Sequence, residues 1–143
     1  MPHDALWSRV QTSLERQGMM THLGARLLRV ESGLVEIALP FSDKVSQQQG
    51  GFHGGAMGAL ADIAAGYAGL TVTPEGMEVT TAEYKINFLA GFQAGELRAI
   101  GRVIKGGRRL IVTSAEVLHV AADGTQSACA LMQQTLVPVP KTY

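Results

Sequence analysis

Cysteine is almost missing from these 143 residues: Cys129 stands alone. That excludes an intrachain disulfide and fits a reducing compartment, so a cytoplasmic location is expected. Charge is also sparse. Asp, Glu, Lys and Arg make up 17% of the chain and cancel to a net charge of zero, where about a quarter is usual. Apart from the short cluster Lys105, Arg108 and Arg109 there is no basic stripe, so no nucleic-acid partner is expected. The opening MPHDALWSRV places Asp4 early and lacks an apolar run, unlike a secretory leader. Metal ligands are scattered: His3, His22, His53 and His119 share no ligand spacing, and no metal or redox cofactor is expected. Neither a Gly-x-Ser-x-Gly elbow nor a His-Glu-x-x-His pair occurs. GRVIKGGR, residues 101–108, mimics a phosphate loop but has Arg108 where Lys-Ser/Thr is required, and a strand context instead of a helix.

What is abundant is apolar. Hydrophobic residues make up 46% of the chain, and with so little charge this points to apolar surface covered in a homo-oligomer. The longest apolar run, residues 55–72, approaches the length of a membrane span but carries Asp62 and is diluted by Gly and Ala. It reads as a buried helix of a protein with no membrane partner.

One domain is expected over residues 1–143. Asp4 is placed to cap a first, surface helix over about 4–17, with Leu6, Val10 and Leu14 at helical spacing and Gly18 as its stop. Residues 24–31 and 34–40 read as strands joined at Ser32-Gly33. A polar, Gly-rich loop follows over 41–52, then a helix over about 54–70 that ends before Pro74 and Gly76. Residues 79–89, 95–105, 109–121 and 126–137 are β-rich and broken by turn signals, which predicts a four-stranded meander. Strands without intervening helices imply antiparallel pairing and an α+β class, not a Rossmann fold.

The chemistry concentrates in QQQGGFHGGAMGALADIAAGYA, residues 47–68. Four glycines surround His53, and a glycine-rich helix entry aims free backbone N–H groups at whatever lies in front of it. Gly54 and Gly55 are therefore either packing glycines or donors to a developing oxyanion. Asp62 is a lone carboxylate inside an Ala/Gly helix, where a charge costs free energy unless it is paired, hydrogen-bonded or open to a cavity. It is the candidate for chemistry, against the plainer reading of a wet helix edge. Seven residues separate Gly55 from Asp62, so the two share a face but stand about 10 Å apart along the axis. One reacting carbonyl needs contacts of about 3 Å. If both groups serve one site, they come from different subunits, with two such helices antiparallel across a two-fold axis. His53 is a general base or, with no acid near it in sequence, a structural ring that shapes the loop. Residues 47–49 are a solvated loop or a source of one orienting amide. Lys105, Arg108 and Arg109 form a solvated turn or a phosphate contact. Cys129, within a predicted strand, is expected as a small core residue.

These residues resemble the hotdog-fold acyl-CoA thioesterases, in particular the PaaI-like branch related to phenylacetate-degradation thioesterases. The likeness runs from about residue 24 to 137. It rests on Gln47 six residues before His53-Gly54-Gly55, with Asp62 nine residues after His53, then on TAEYKINFLAG from Thr81 and GGRRLIVTSAEV from Gly106. The resemblance implies a long helix wrapped by an antiparallel sheet, and dimers or tetramers with sites at the subunit interface. It implies Asp62 as general base or nucleophile, the N–H of Gly54 or Gly55 on the thioester carbonyl, and Gln47, or its neighbour Gln48, orienting water or carbonyl. Thr81 would support the carboxylate or water from the partner side, His53 would shape the glycine turn, and Lys105, Arg108 and Arg109 would meet the CoA phosphates. The family often has Asn where this chain has Gln47. The expected activity is hydrolysis of acyl-CoA to free acid and CoA, with CoA entering only as part of the substrate. Rival readings are a non-catalytic acyl-CoA sensor or carrier, an enoyl-thioester hydratase, and a pure assembly module. The acyl group itself is not legible: Met57, Leu60, Tyr84 and Phe88 are tunnel liners or core.

Overall fold

The computed structural model describes residues 3–143. In chain order its elements are helices α1 (His3–Glu15) and α2 (Gly18–Leu23), strands β1 (Arg26–Glu31) and β2 (Leu34–Pro40), and a 3-10 turn at Asp43–Val45. Helix α3 (Gly54–Thr71) follows, then strands β3 (Met77–Phe88), β4 (Glu96–Lys105), β5 (Ile111–Val120) and β6 (Gln126–Pro140). All pairings are antiparallel, in the order β1-β2-β4-β5-β6-β3, and the sheet wraps α3. This is the hotdog fold.

The Ala/Gly composition of α3 is explained by how closely the sheet approaches it. A Cβ on Gly101 of β4 would collide with the backbone of Ala64 and Ala65, and one on Gly69 would collide with the Leu136 side chain. Each helical glycine lowers intrinsic helix stability by about 1 kcal/mol against Ala, and burial offsets that: Leu60, Ala61, Ala64, Ala65, Ala68 and Leu70 are all sealed from solvent.

Three expectations are corrected. The predicted four-stranded meander is only three strands long. β4, β5 and β6 follow one another, but β3 lies at the far edge, paired with β6 from Met77 opposite Pro140 to Phe88 opposite Ala130. The free flank of β4 is taken by β2, from Leu34 opposite Arg102 to Pro40 opposite Glu96, so no place remains there for β3. The first helix also ends at Glu15, and Gly18 opens a second helix instead of closing the first. Asp4 lies inside the first turn of α1, not at its cap.

Helix α1 is tied into the fold more firmly than a surface helix needs. Leu6, Val10 and Leu14 are buried. The Arg9 guanidinium donates to the carbonyls of Leu70 (3.1 Å), Thr73 (2.8 Å), Pro74 (3.0 Å) and Met77 (3.1 Å). It thereby adds a charged donor to the carbonyls that cluster where α3 ends and complements the negative end of the helix dipole.

Candidate active site

Asp62 is partly exposed at the middle of α3. Its Oδ1 accepts two hydrogen bonds, from Thr81 Oγ1 at 2.7 Å and from Gln134 Nε2 at 2.6 Å. Among the described residues Oδ2 has no partner. Gln134 is fully buried, and its Oε1 accepts from the equally buried Thr113 hydroxyl at 2.9 Å. A charge inside an apolar helix is thus tolerated because two strands supply it with donors. The carboxylate opens on a cleft of about 200 Å³ lined by Ser13, Gln17, Ile63, Gly66, Tyr67, Glu78, Val79 and Thr81. Tyr67 closes one side of it, its hydroxyl bonded to Ser13 (2.9 Å) and Gln17 (2.7 Å); burial pushes that phenol above its ordinary pKa, against those two bonds.

The start of α3 is built differently. Phe52 N–H donates to Phe92 O (2.9 Å) and His53 N–H to Val45 O (2.7 Å), which anchors the glycine turn on both sides. His53 is the N-cap: its Nδ1 accepts from Gly55 N–H at 2.8 Å. The neutral ring therefore carries its proton on Nε2. Ala56 and Met57 N–H both reach His53 O. That leaves Gly54 N–H as the one donor of the first turn without a partner among the described residues. A Cβ on Gly54 would come within 3.3 Å of the Phe88 ring, so that ring lies against the helix entry. Gln47 sits beside it, and its Oε1 accepts from Gln49 N–H at 2.5 Å; Gln48 is exposed. Gln47, Phe52, Gly54, Met57, Phe88, Leu89, Ala90 and Gly91 line a second cleft of about 320 Å³.

The two clefts share no residue. Gly54 and Asp62 are separated by about 12 Å of helix rise. Within one chain, then, the sequence candidates fall into two groups, Asp62 with Thr81 and Gln47 with Gly54. Lys105, Arg108 and Arg109 belong to neither. All three are exposed, Lys105 at the end of β4 and Arg108 and Arg109 in the β4–β5 loop, whose Gly106 lies near Val72 at the C-terminal end of α3, away from Gly54. Of the expected liners, Met57 and Leu60 are buried, whereas Tyr84 and Phe88 are 43% and 54% exposed and so are not core.

Cys129 is buried, and burial pushes its thiol up to about 11, as an inert core residue requires. His119 is also buried, stacked on Phe92 at 4.4 Å with Nε2 on Ala94 O. Among the described residues no three His, Cys, Asp or Glu side chains gather where they could hold a metal ion. No described helix is long and apolar enough to cross a membrane.

Gln134 and Thr113 carry no local motif. Their one signal is parity: Gln134 falls on the inward face with Ala130, Met132 and Leu136, and Thr113 with Ile111, Ala115 and Val117. A polar side chain on such a face must have a buried partner.

A wrapped sheet with a lone carboxylate at mid-helix and a glycine turn at the helix start is a hotdog-type arrangement, and the comparisons agree. The thioesterase superfamily profile matches residues 49–121. A thioesterase family protein from Silicibacter pomeroyi superposes with a TM-score of 0.91 at 33% identity, over 95% of this chain and 99% of that one. The proofreading thioesterase EntH of Klebsiella pneumoniae is 34% identical over 91 residues, 64% of this chain and 66% of that protein. The Escherichia coli PaaI protein, from the phenylacetic acid degradation operon, shares the fold at a TM-score of 0.85 and 20% identity, covering 98% of this chain and 97% of that one. The chain belongs to the thioesterase superfamily and is a thioester hydrolase.

Proposed function

We propose that the chain hydrolyses acyl-CoA thioesters to a free acid and CoA, at sites shared between two copies of α3 lying antiparallel across a two-fold axis. The observation that carries this reading is the division along one helix. A carboxylate with one free oxygen and a free helix-terminal N–H stand about 12 Å apart, too far for one carbonyl. A second, antiparallel copy brings the N-terminus of one α3 to the Asp62 of the other. The outermost strand supports such pairing, because β3 is an unprotected sheet edge that exposes Tyr84 and Phe88, with Leu131 exposed on the neighbouring β6. Such pairing also carries the cationic loop at residues 105–109 of one copy toward the Gly54 turn of the other, where CoA phosphates would meet it.

In this site the thioester oxygen accepts from Gly54 N–H at the positive end of the helix dipole, and Gln47 orients the carbonyl or the water. Gly54 is preferred over Gly55 as donor, since the Gly55 N–H is occupied by His53 Nδ1. Asp62 Oδ2 then takes a proton from water as the hydroxyl adds to the carbonyl carbon. The oxyanion collapses, the C–S bond breaks, and the proton passes to the departing thiolate. Alternatively Oδ2 attacks directly and the anhydride is hydrolysed in a second step. An acyl adduct on the Asp62 peptide in rapid-quench mass spectrometry selects the nucleophile, and pre-steady-state turnover without one selects the base.

The test is CoA release, followed by thiol trapping, from a panel of aryl- and fatty-acyl-CoA esters by wild type and Asp62→Asn. Loss of turnover in the variant is expected. Wild-type turnover by the variant overturns the assignment of Asp62. Tight acyl-CoA binding by the wild type with no CoA release favours a sensor or carrier.

A further inference from the structure

We infer that Gln134 is a positioning residue for the reaction, and that Thr113 locks its amide so that only Asp62 Oδ2 is presented to the substrate; this rests on the assignment of Asp62 above. Gln134 lies on a sheet face otherwise made of Ala130, Met132 and Leu136, and it is fully sealed from solvent. An apolar residue would fill that place without cost, whereas a buried amide is tolerated only when both its ends are paired. Here both are. Nε2 donates to Asp62 Oδ1 at 2.6 Å and Oε1 accepts the Thr113 hydroxyl proton at 2.9 Å. If the amide turned over, its oxygen would face the Asp62 carboxylate and two acceptors would meet at that short distance.

Thr81 donates to the same Oδ1 from β3 while Gln134 donates from β6. Two donors on one oxygen, from strands on adjacent positions of the sheet, stop rotation of the carboxylate about its Cβ–Cγ bond. No donor among the described residues touches Oδ2. The network therefore selects which oxygen reacts and where it points, although neither Gln134 nor Thr113 reaches the cleft.

A purely structural role and a positioning role differ in what Gln134→Met does to the folded enzyme, since methionine fills a similar volume without a charge and without a donor. If Gln134 only fills space, kcat and KM of the folded variant match wild type. If it acts as a donor to Asp62 Oδ1, kcat falls while substrate binding holds. The expected result is a kcat lower by about 10- to 100-fold for Gln134→Met with KM within about threefold of wild type. Thr113→Val, which keeps shape but loses the hydroxyl, is expected to lower kcat about 3- to 10-fold, while Thr113→Ser restores it. The Thr113 pair decides the matter if Gln134 variants fail to fold. Folded Gln134→Met with wild-type kcat, or equal kcat for Thr113→Val and Thr113→Ser, overturns the inference. The Asp62→Asn control keeps the two claims apart. Wild-type turnover there removes the underlying assignment, whereas an inactive Asp62→Asn beside unaffected Gln134 and Thr113 variants removes only the positioning role.

Discussion

At the middle of α3, Asp62 is fixed by side chains reaching in from β3 and β6, whereas at the start of the same helix Gly54 offers a bare N–H that nothing among the described residues engages. The first group has its donors supplied within one chain: Gln134 is buried, Thr81 is half-buried, and the cleft is walled by α1, α3 and β3. The second is a turn anchored by backbone bonds to Val45 and Phe92, beside the Phe88 ring and a wider cleft, with one N–H left without a partner among the described residues. A charged group has to be satisfied before substrate arrives, or it costs stability. A helix-terminal N–H can wait, because water serves it until a carbonyl displaces that water. The difference in construction therefore follows from the difference in charge.

The comparison breaks first at Asp62. Asp62→Asn keeps the shape and loses the base or nucleophile, and turnover is expected to fall by about 10³-fold or more. CoA release measured at saturating substrate checks this. The next largest effect is expected at Gly54. Gly54 is the first residue of α3, a position that accepts proline, and the extended His53 before it (φ −70°, ψ 133°) is compatible with a following proline. Gly54→Pro thus deletes the N–H without breaking the helix. A loss of about 10²- to 10³-fold in kcat is expected, the size seen when one oxyanion donor is removed. Gly54→Ala keeps the N–H and only presses a methyl toward Phe88, so it should lose less. If the two variants are equally impaired, the cause is crowding by the added carbon atoms and the donor role falls.

These two inactive variants also sharpen the question of where the halves meet. If each site takes Asp62 from one chain and Gly54 from the other, a mixed dimer of Asp62→Asn and Gly54→Pro holds one intact site and one doubly damaged site. Unfolding and refolding an equimolar mixture should then restore about a quarter of wild-type activity, since half the dimers are mixed and each has one working site of two. No recovery, in a mixture shown by mass spectrometry to contain the mixed dimer, would place both halves in one chain.

How much of this was legible in the sequence depends on range. Gly54, His53 and Asp62 lie within ten positions of one another, and helix geometry alone sets the glycine turn apart from Asp62 by about two turns. The sheet was legible as strands but not as an order. Alternation reports which residues face inward, whereas the placing of β3 beside β6 depends on β2 having occupied the flank of β4. Gln134 and Thr113 were hidden for the same reason. Gln134 reaches Asp62, and Thr113 reaches Gln134, only because β5 and β6 pack against α3, with Gln134 72 positions along the chain from Asp62. Parity exposes them as misplaced polar residues without naming what they touch.

The smallest expected effect concerns how the open half is held in shape. His53 Nδ1 occupies the Gly55 N–H and so leaves Gly54 as the one donor of the first turn without a partner among the described residues. His53→Ala removes an N-cap acceptor, which should cost about 1 kcal/mol of stability and lower the melting temperature by about 3 °C in a domain of this size. It also leaves two adjacent N–H groups competing for one carbonyl oxygen, and a severalfold fall in kcat is expected. Asn is a good N-cap residue that can accept from Gly55 in the same way. If His53 matters only as a cap, His53→Asn recovers both the melting temperature and kcat. Recovery of stability without recovery of kcat would mean that the ring acts on the substrate itself, through the proton on Nε2. The glycine turn would then present two donors to the thioester, one from the helix backbone and one from its cap.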